Sequence, residues 1–443
     1  MSRHLLLTAW AFPPARTSGV YRAAGIADAF VRAGWHVTVL TGPASLFRAN
    51  EVADETLLET VDPRIEIVEV PLEHHELSTD ITTWSRTRAR QPELWTRRRL
   101  QRDRHEFPEA WYGSWAPALR EAADAVHQSR PVDLALGTAA PYVDFVPGEH
   151  LRAQHGVPYI LDYRDAWTFL TFTGTPPAGL TDAVRDRERA LMSEAFQVWF
   201  VNDPIRGWHA GQYPDSAAKM RTVRNGFDLP AQATDAAAFG VPLRDVADGP
   251  LTFGYIGTIN FGAFPLDEVV EAWRIARMQL PEGSRLVLRG HLGRTGEGSP
   301  QLMAALAEAE PLGIVYEGPV SRSRLTEVYR QFDALLLALP SGPGVTSGKV
   351  YEYAATGLPI VSVHTPETPV AEVLGDTDHW HAPRSLEPEA IAESLIDAAR
   401  QVQLSTVGVR QRAIAAGLRW ERLGILATAV ADVETAFGVE ARA

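Results

Sequence analysis

Short apolar runs alternate with stretches of helical periodicity along most of the chain. Residues 4–9 form an apolar run, a Pro- and Gly-containing loop follows, and apolar positions then recur at helical spacing over 20–33. Further strand-like runs fall at 35–41, 65–71, 134–137, 159–162 and 198–202. A Pro- and Ala-rich stretch with little pattern, 228–250, reads as a linker. A second series begins after it, at 251–256, 285–289, 314–317, 334–338 and 360–363. Strands of this length separated by helices predict βαβ units around parallel sheets. The expected organisation is an N-terminal domain (1–227), the linker, a C-terminal domain (251–420) and a last helix (421–443) crossing back to the first domain. Two doubly wound α/β domains facing each other across a cleft are expected, with ligands beyond the carboxyl ends of the strands.

Length agrees with two cores, since 443 residues exceed one ordinary domain. No apolar run reaches the ~18 residues a membrane span needs. The brief apolar stretch near the N-terminus is read as a strand and not a signal peptide, which favours the cytoplasm. The absence of cysteine removes disulfides, zinc thiolates and thiol nucleophiles. A net charge of −13 argues against general nucleic-acid binding. One stretch opposes that charge. Within 84–104, eight arginines outweigh Glu93 and Asp103, a net of +6, and Trp84 and Trp95 sit among them. Arginine with tryptophan suits an anionic surface, such as a membrane leaflet, a phosphorylated acceptor or an acidic partner. The competing reading is a solvated helix salt-bridged to the acidic body.

The candidate chemistry lies in loops after strands. Gly19 precedes a helix, where a missing Cβ and the helix N-terminus let backbone approach a diphosphate. Arg22, a turn later, either reaches phosphate or acceptor or is an exposed helix arginine. In the loop 340–349, PSGPGVTSGK, successive backbone N–H groups of Gly344, Thr346, Ser347 and Gly348 form an anion nest, and Lys349 adds a formal charge. Glu352 is one helical turn on, so that a surface ion pair with Lys349 is the competing reading. Asp165, with Arg164 beside it, follows a strand and either orients or deprotonates an acceptor hydroxyl or braces the loop. Gly257 ends the strand that opens the second domain, and Arg294, in RGHLGR, is a further candidate phosphate contact. Asp376 and Asp378 spell D-x-D but follow a helix, and are read as a solvated loop. The histidines, among them 150, 155, 209 and 291, are scattered, so no metal site is expected.

Taken in order, AFPPARTSGVYRAAGIADAFVRAGWHVTVLT, PYILDYRDAW, VRNGFD, FGYIGTI and SGKVYEYAATGLPIVSV resemble retaining GT-B glycosyltransferases of family 4, in the branch that builds bacterial surface polysaccharides. The resemblance implies a GT-B fold of two Rossmann-like domains and transfer of a sugar from a nucleotide-sugar co-substrate, UDP before GDP, with no further cofactor. It implies that Glu352 holds ribose hydroxyls and that Lys349 and Asp165 take part in the chemistry. It implies a glycan acceptor, lipid-linked first and a small soluble molecule second. Two positions depart from the pattern. Gly344 stands where a second Glu often contacts the transferred sugar, and GTINFGAFPLDE lacks the Arg and Lys that often follow the G-T turn. A nucleotide-sugar epimerase of the same fold and a catalytically silent binding partner are the alternatives.

Overall fold

The computed structural model describes residues 2–440 apart from 110, 230–238, 245–248, 260–263, 294–297 and 322–323. The chain divides into two compact units. The first comprises Met1–Thr171, Thr175–Asn225 and Arg422–Ala443, and the second comprises Phe172–Gly174 and Gly226–Glu421.

The first unit is built on a seven-stranded sheet of β1 (His4–Thr8), β2 (His36–Thr41), β3 (Ile65–Glu69), β4 (Leu134–Ala139), β5 (Tyr159–Tyr163), β6 (Gln197–Phe200) and β7 (Met220–Thr222), ordered β3-β2-β1-β4-β5-β6-β7. Every pairing is parallel, with Leu5 opposite Val37 on one side and Leu134 on the other. Burial on both faces explains why the strands read as continuous apolar runs. The two-residue period then divides each strand between two cores. Leu6 packs with Trp115, Leu119 and Phe145 on one face. Leu5 and Leu7 pack on the other, with Ile26 and Phe30 of helix Val20–Arg32 and with Leu426, Val430 and Val433 of the last helix, Arg422–Glu440.

The second unit repeats the plan with β8 (Thr252–Ile256), β9 (Arg285–Arg289), β10 (Ile314–Tyr316), β11 (Ala334–Ala338), β12 (Ile360–Val363) and β13 (Trp380–His381), ordered β10-β9-β8-β11-β12-β13 and again all parallel. Along β11, Ala334, Leu336 and Ala338 face one core and Leu335 and Leu337 the other. Of the stretch 228–250, Phe239 and Val241 are buried in this unit, where the Val241 N–H donates to Thr356 O at 2.9 Å.

The strand order of each sheet reverses next to its first strand, between β1 and β4 and between β8 and β11. In doubly wound sheets that switch point, at the carboxyl edge, is where ligands sit. The candidate residues that are described gather at these two edges.

Candidate functional site

At the carboxyl edge of the first sheet, Gly19 is the residue before helix Val20–Arg32, and no side chain caps that helix. A Cβ at Gly19 would run into the Arg164 guanidinium, so glycine is what lets that side chain lie across the loop. Arg164 donates to Ser18 Oγ at 3.4 Å and, from Nε, to Asp165 Oδ2 at 3.1 Å. Asp165 is thus braced by its neighbour while its side chain stays 50% exposed. Tyr142 and Trp167 stack beside it with centroids 4.9 Å apart, and Phe107 stacks on Trp167 at 5.2 Å.

Arg22 departs from the sequence expectation. It is neither exposed nor turned outward: at 2% accessibility it lies under the loop and grips Asp162, Nε to Oδ2 at 2.8 Å and Nη2 to Oδ1 at 2.5 Å. Nη1 donates to Arg224 O and Asn225 Oδ1, at 3.4 and 3.3 Å. Asp162 also accepts from Thr138 Oγ1 at 2.7 Å. A desolvated guanidinium needs this carboxylate, and the pair ties β4, β5 and the first helix together as a floor. Glu109 is a second group that the sequence did not single out. Burial pushes its carboxyl up to about 7, although it accepts the N–H groups of Val143 and Tyr142 at 2.9 and 3.2 Å.

At the carboxyl edge of the second sheet, the chain leaves β8 through Gly257. A Cβ there would overlap the Lys349 ammonium, and a Cβ at Gly290, where φ is +137°, would overlap the Gly257 carbonyl. Two strand ends therefore meet through glycine, leaving a seat that the lysine occupies. Lys349 lies in the first turn of helix Gly348–Thr356, whose preceding residue, Ser347, accepts the Lys349 N–H on Oγ at 3.3 Å. Its ammonium donates to Tyr255 Oη at 2.9 Å and sits 4.5 Å from the centre of that ring. Desolvation brings it down to about 8, against the pull of Glu352.

Lys349 and Glu352 do not form the ion pair that their spacing allows. Glu352 instead accepts from Tyr329 Oη at 3.1 Å. The glycine loop is held from behind. Ser341 Oγ accepts the Thr365 N–H at 2.9 Å, and the Gly342 N–H, at a φ of +156° that favours glycine, donates to Thr368 Oγ1 at 3.2 Å. Gly344 and Thr346 lie in this loop, and Gly348 is exposed at the start of the helix. Arg294 lies outside the described residues. Tyr255 and Tyr329 were missed because a buried tyrosine in a strand or helix reads as core.

The arginine-rich segment folds as helices Arg86–Arg90 and Pro92–Glu106. Arg88 is buried between the Trp84 and Trp95 rings, 4.1 and 4.5 Å from their centres, and donates to His74 O and His75 O. Arg99 donates to Glu73 O, and Arg102 pairs with Glu106 at 3.7 Å. Arg86, Arg90, Arg97, Arg98 and Arg104 are exposed and make no ion pair with the described residues. Asp376 is 87% exposed and lies 3.7 Å from Arg419. Among the described residues, no group of three or more histidines and carboxylates is placed to hold a metal ion, and no helix is long and apolar enough to cross a membrane.

No curated protein matches the sequence. Among solved structures, the chain is similar to a glycosyltransferase from Rickettsia africae, at 11% identity and a TM-score of 0.63 over 98% of this chain and 97% of the other. It is similar to the sucrose-phosphate synthase of Thermosynechococcus elongatus, at 14% identity and 0.60 over 99% and 100%. It is also similar to Anabaena HepE in complex with UDP, at 12% identity and 0.60 over 98% and 100%. Residues 250–401 match the family model described as "Glycosyl transferases group 1". The chain therefore has the fold of GT-B glycosyltransferases, two parallel-sheet α/β units, and its second unit carries a glycosyltransferase group 1 domain.

Proposed function

We propose that the protein is a retaining glycosyltransferase that moves a sugar from a nucleoside-diphosphate sugar to an acceptor hydroxyl. The observation that carries this is the Lys349 ammonium. It stands at the switch point of the second sheet, in the first turn of a helix, without a carboxylate partner among the described residues. A cation there is disfavoured by the helix dipole unless an anion joins it. A nucleoside diphosphate supplies that anion. UDP is the first choice, since HepE is similar to this chain and was solved with UDP.

In the proposed reaction the bond between the anomeric carbon and the diphosphate oxygen breaks, and its electron pair stays on that oxygen. Lys349 and the N–H groups of the loop through Gly344, Thr346, Ser347 and Gly348 neutralise the charge that develops. Preorganised donors of this kind typically contribute about 10²–10³ in rate. Glu352, oriented by Tyr329, accepts from the ribose hydroxyls. The acceptor oxygen forms the new bond on the face that the diphosphate leaves. Its proton goes to the departing phosphate or to Asp165, which Arg164 holds in place. Gly19 gives the backbone of the first unit close approach to the substrates. A lipid-linked cell-surface intermediate is the proposed acceptor, supported by the five exposed arginines of 84–104 that make no ion pair with the described residues. The protein would then work as a cytoplasmic enzyme that docks peripherally.

Lys349→Ala and Glu352→Ala, tested with a panel of nucleotide sugars, check the donor reading. Each is expected to lower turnover by about 10²-fold or more with the melting midpoint kept. Normal donor affinity and rate in both would overturn it. Donor incubated without acceptor separates an epimerase, which would release a new nucleotide sugar.

A further inference from the structure

We propose that Tyr255 is a positioning residue that keeps the Lys349 ammonium seated over Gly257 and aimed at the donor diphosphate. The proposal rests on the donor reading of Lys349. Tyr255 is 1% exposed at the end of β8, and Phe264 meets its ring edge-on at 4.8 Å. Its hydroxyl donates to Thr258 O at 2.9 Å, so its lone pairs are turned to Lys349 Nζ, also at 2.9 Å. The ring face adds a cation–π contact from the same side. The helix that carries Lys349 is registered to the same strand. Tyr353, one turn on, accepts the Ile256 N–H on its hydroxyl at 2.9 Å. Strand end, tyrosine and lysine are thus one unit, in which one ammonium proton is committed to Tyr255 and the others remain for anionic oxygens.

The contact bears on the charge as well, beside Glu352, whose carboxylate pulls the ammonium towards its charged form. Burial costs the ammonium most of its margin, bringing it from 10.5 to about 8. The Tyr255 hydroxyl accepts a hydrogen bond that only the charged form donates fully, so it favours that form. Without it, the charged fraction near neutral pH would shrink and the nest would lose its cation.

The chain contains two lysines, Lys219 and Lys349. A protein labelled with ¹³C-lysine therefore shows two side-chain titrations, and Lys219→Arg assigns them. In Tyr255→Phe, which keeps the ring and its packing, the Lys349 titration is expected to fall by about one pH unit, a tenfold change in the ratio of charged to neutral form. The alkaline limb of UDP affinity, measured by calorimetry, should move down by the same amount. In Gly257→Ala the added Cβ takes the ammonium's seat, so Lys349 should titrate higher, towards 10.5, the opposite direction. A Lys349 titration that is unchanged or raised in Tyr255→Phe overturns the proposal, whatever the activity. A wild-type protein that binds no nucleoside diphosphate overturns the donor reading instead.

Discussion

Replacing Arg22 by alanine separates the ligand contact expected from the sequence from the buried ion pair seen in the structure. If the residue contacts phosphate or acceptor, the variant folds normally and loses ligand. The buried geometry predicts the reverse. Asp162, at 0% accessibility, would lose both guanidinium bonds and keep only Thr138 Oγ1, while Arg224 O would lose a donor. Removing one partner of a buried, hydrogen-bonded ion pair costs about 3–5 kcal/mol. The lower end applies here, because the Thr138 contact survives and a carboxyl can take up a proton. For a unit of this size about 3 kcal/mol corresponds to a fall of about 6–12 °C in the melting midpoint. Differential scanning calorimetry reads it, and UDP calorimetry below the transition reads the second quantity, whose expected value is near that of the wild type. Replacing Arg22 and Asp162 together by Met and Leu should recover most of the loss, since no buried charge is then left alone. A midpoint within about 2 °C of the wild type, together with lost UDP affinity, would refute the buried role.

Glu188 is fully buried and accepts from Thr168 Oγ1 at 2.5 Å and Tyr213 Oη at 2.7 Å, with His209 Nε2 3.4 Å away. Burial raises its carboxyl, but the contacts from His209, Thr168 and Tyr213 outweigh this and hold it below 4.5. A depressed folded value means stability present above the unfolded value and lost as pH falls through the folded one. Urea midpoints of Glu188→Gln should therefore approach those of the wild type as pH falls from 5 to about 3, and a constant gap would contradict the assignment. At the arginine-rich helices the informative variant is Arg97/Arg98/Arg104→Glu, because Arg88 and Arg99 are committed inside the protein. At about 1 kcal/mol per engaged arginine, co-sedimentation with anionic liposomes at low salt should weaken roughly 100-fold, and an absence of wild-type binding would remove the membrane docking. Turnover is expected to survive EDTA, and loss restored by manganese would redirect attention to Asp376 and Asp378. The product from an α-linked donor is expected to be α-linked, and an NMR coupling for a β-linkage would defeat retention.

The two sheets were legible because parallel strands buried on both faces must be apolar throughout. β9, β11 and β12 fall at the positions the apolar runs predict, while β4 and β5 run slightly beyond them. β7 and β13 were not seen. They are strands of three and two residues at sheet edges, too short to carry a period. The glycine loop and its lysine were legible for a related reason, since Gly, Ser and Pro mark the turn and Lys349 is a cation at a helix start. Partners were not legible. Glu352 has Lys349 three residues away, yet its bond goes to Tyr329, 23 positions distant in the chain.

That difference between spacing and pairing supports the proposal that the second unit is the donor side. Each unit places a cation near the carboxyl edge of its sheet, Arg22 in the first and Lys349 in the second. Arg22 is already neutralised: Asp162 takes two of its N–H groups, and two further oxygens take another. A diphosphate arriving there would have to break a buried pair, at a cost comparable to what the new contact returns. Lys349 has given one hydrogen bond to a neutral hydroxyl and faces a glycine where a side chain would otherwise fill the seat. Its desolvation has already been met in the folded state, so an arriving anion gains the charge without a further ordering step. In the first unit, what remains near the edge is the half-exposed Asp165, paired with Arg164, beside stacked aromatic rings, a surface suited to hydroxyls and sugar faces.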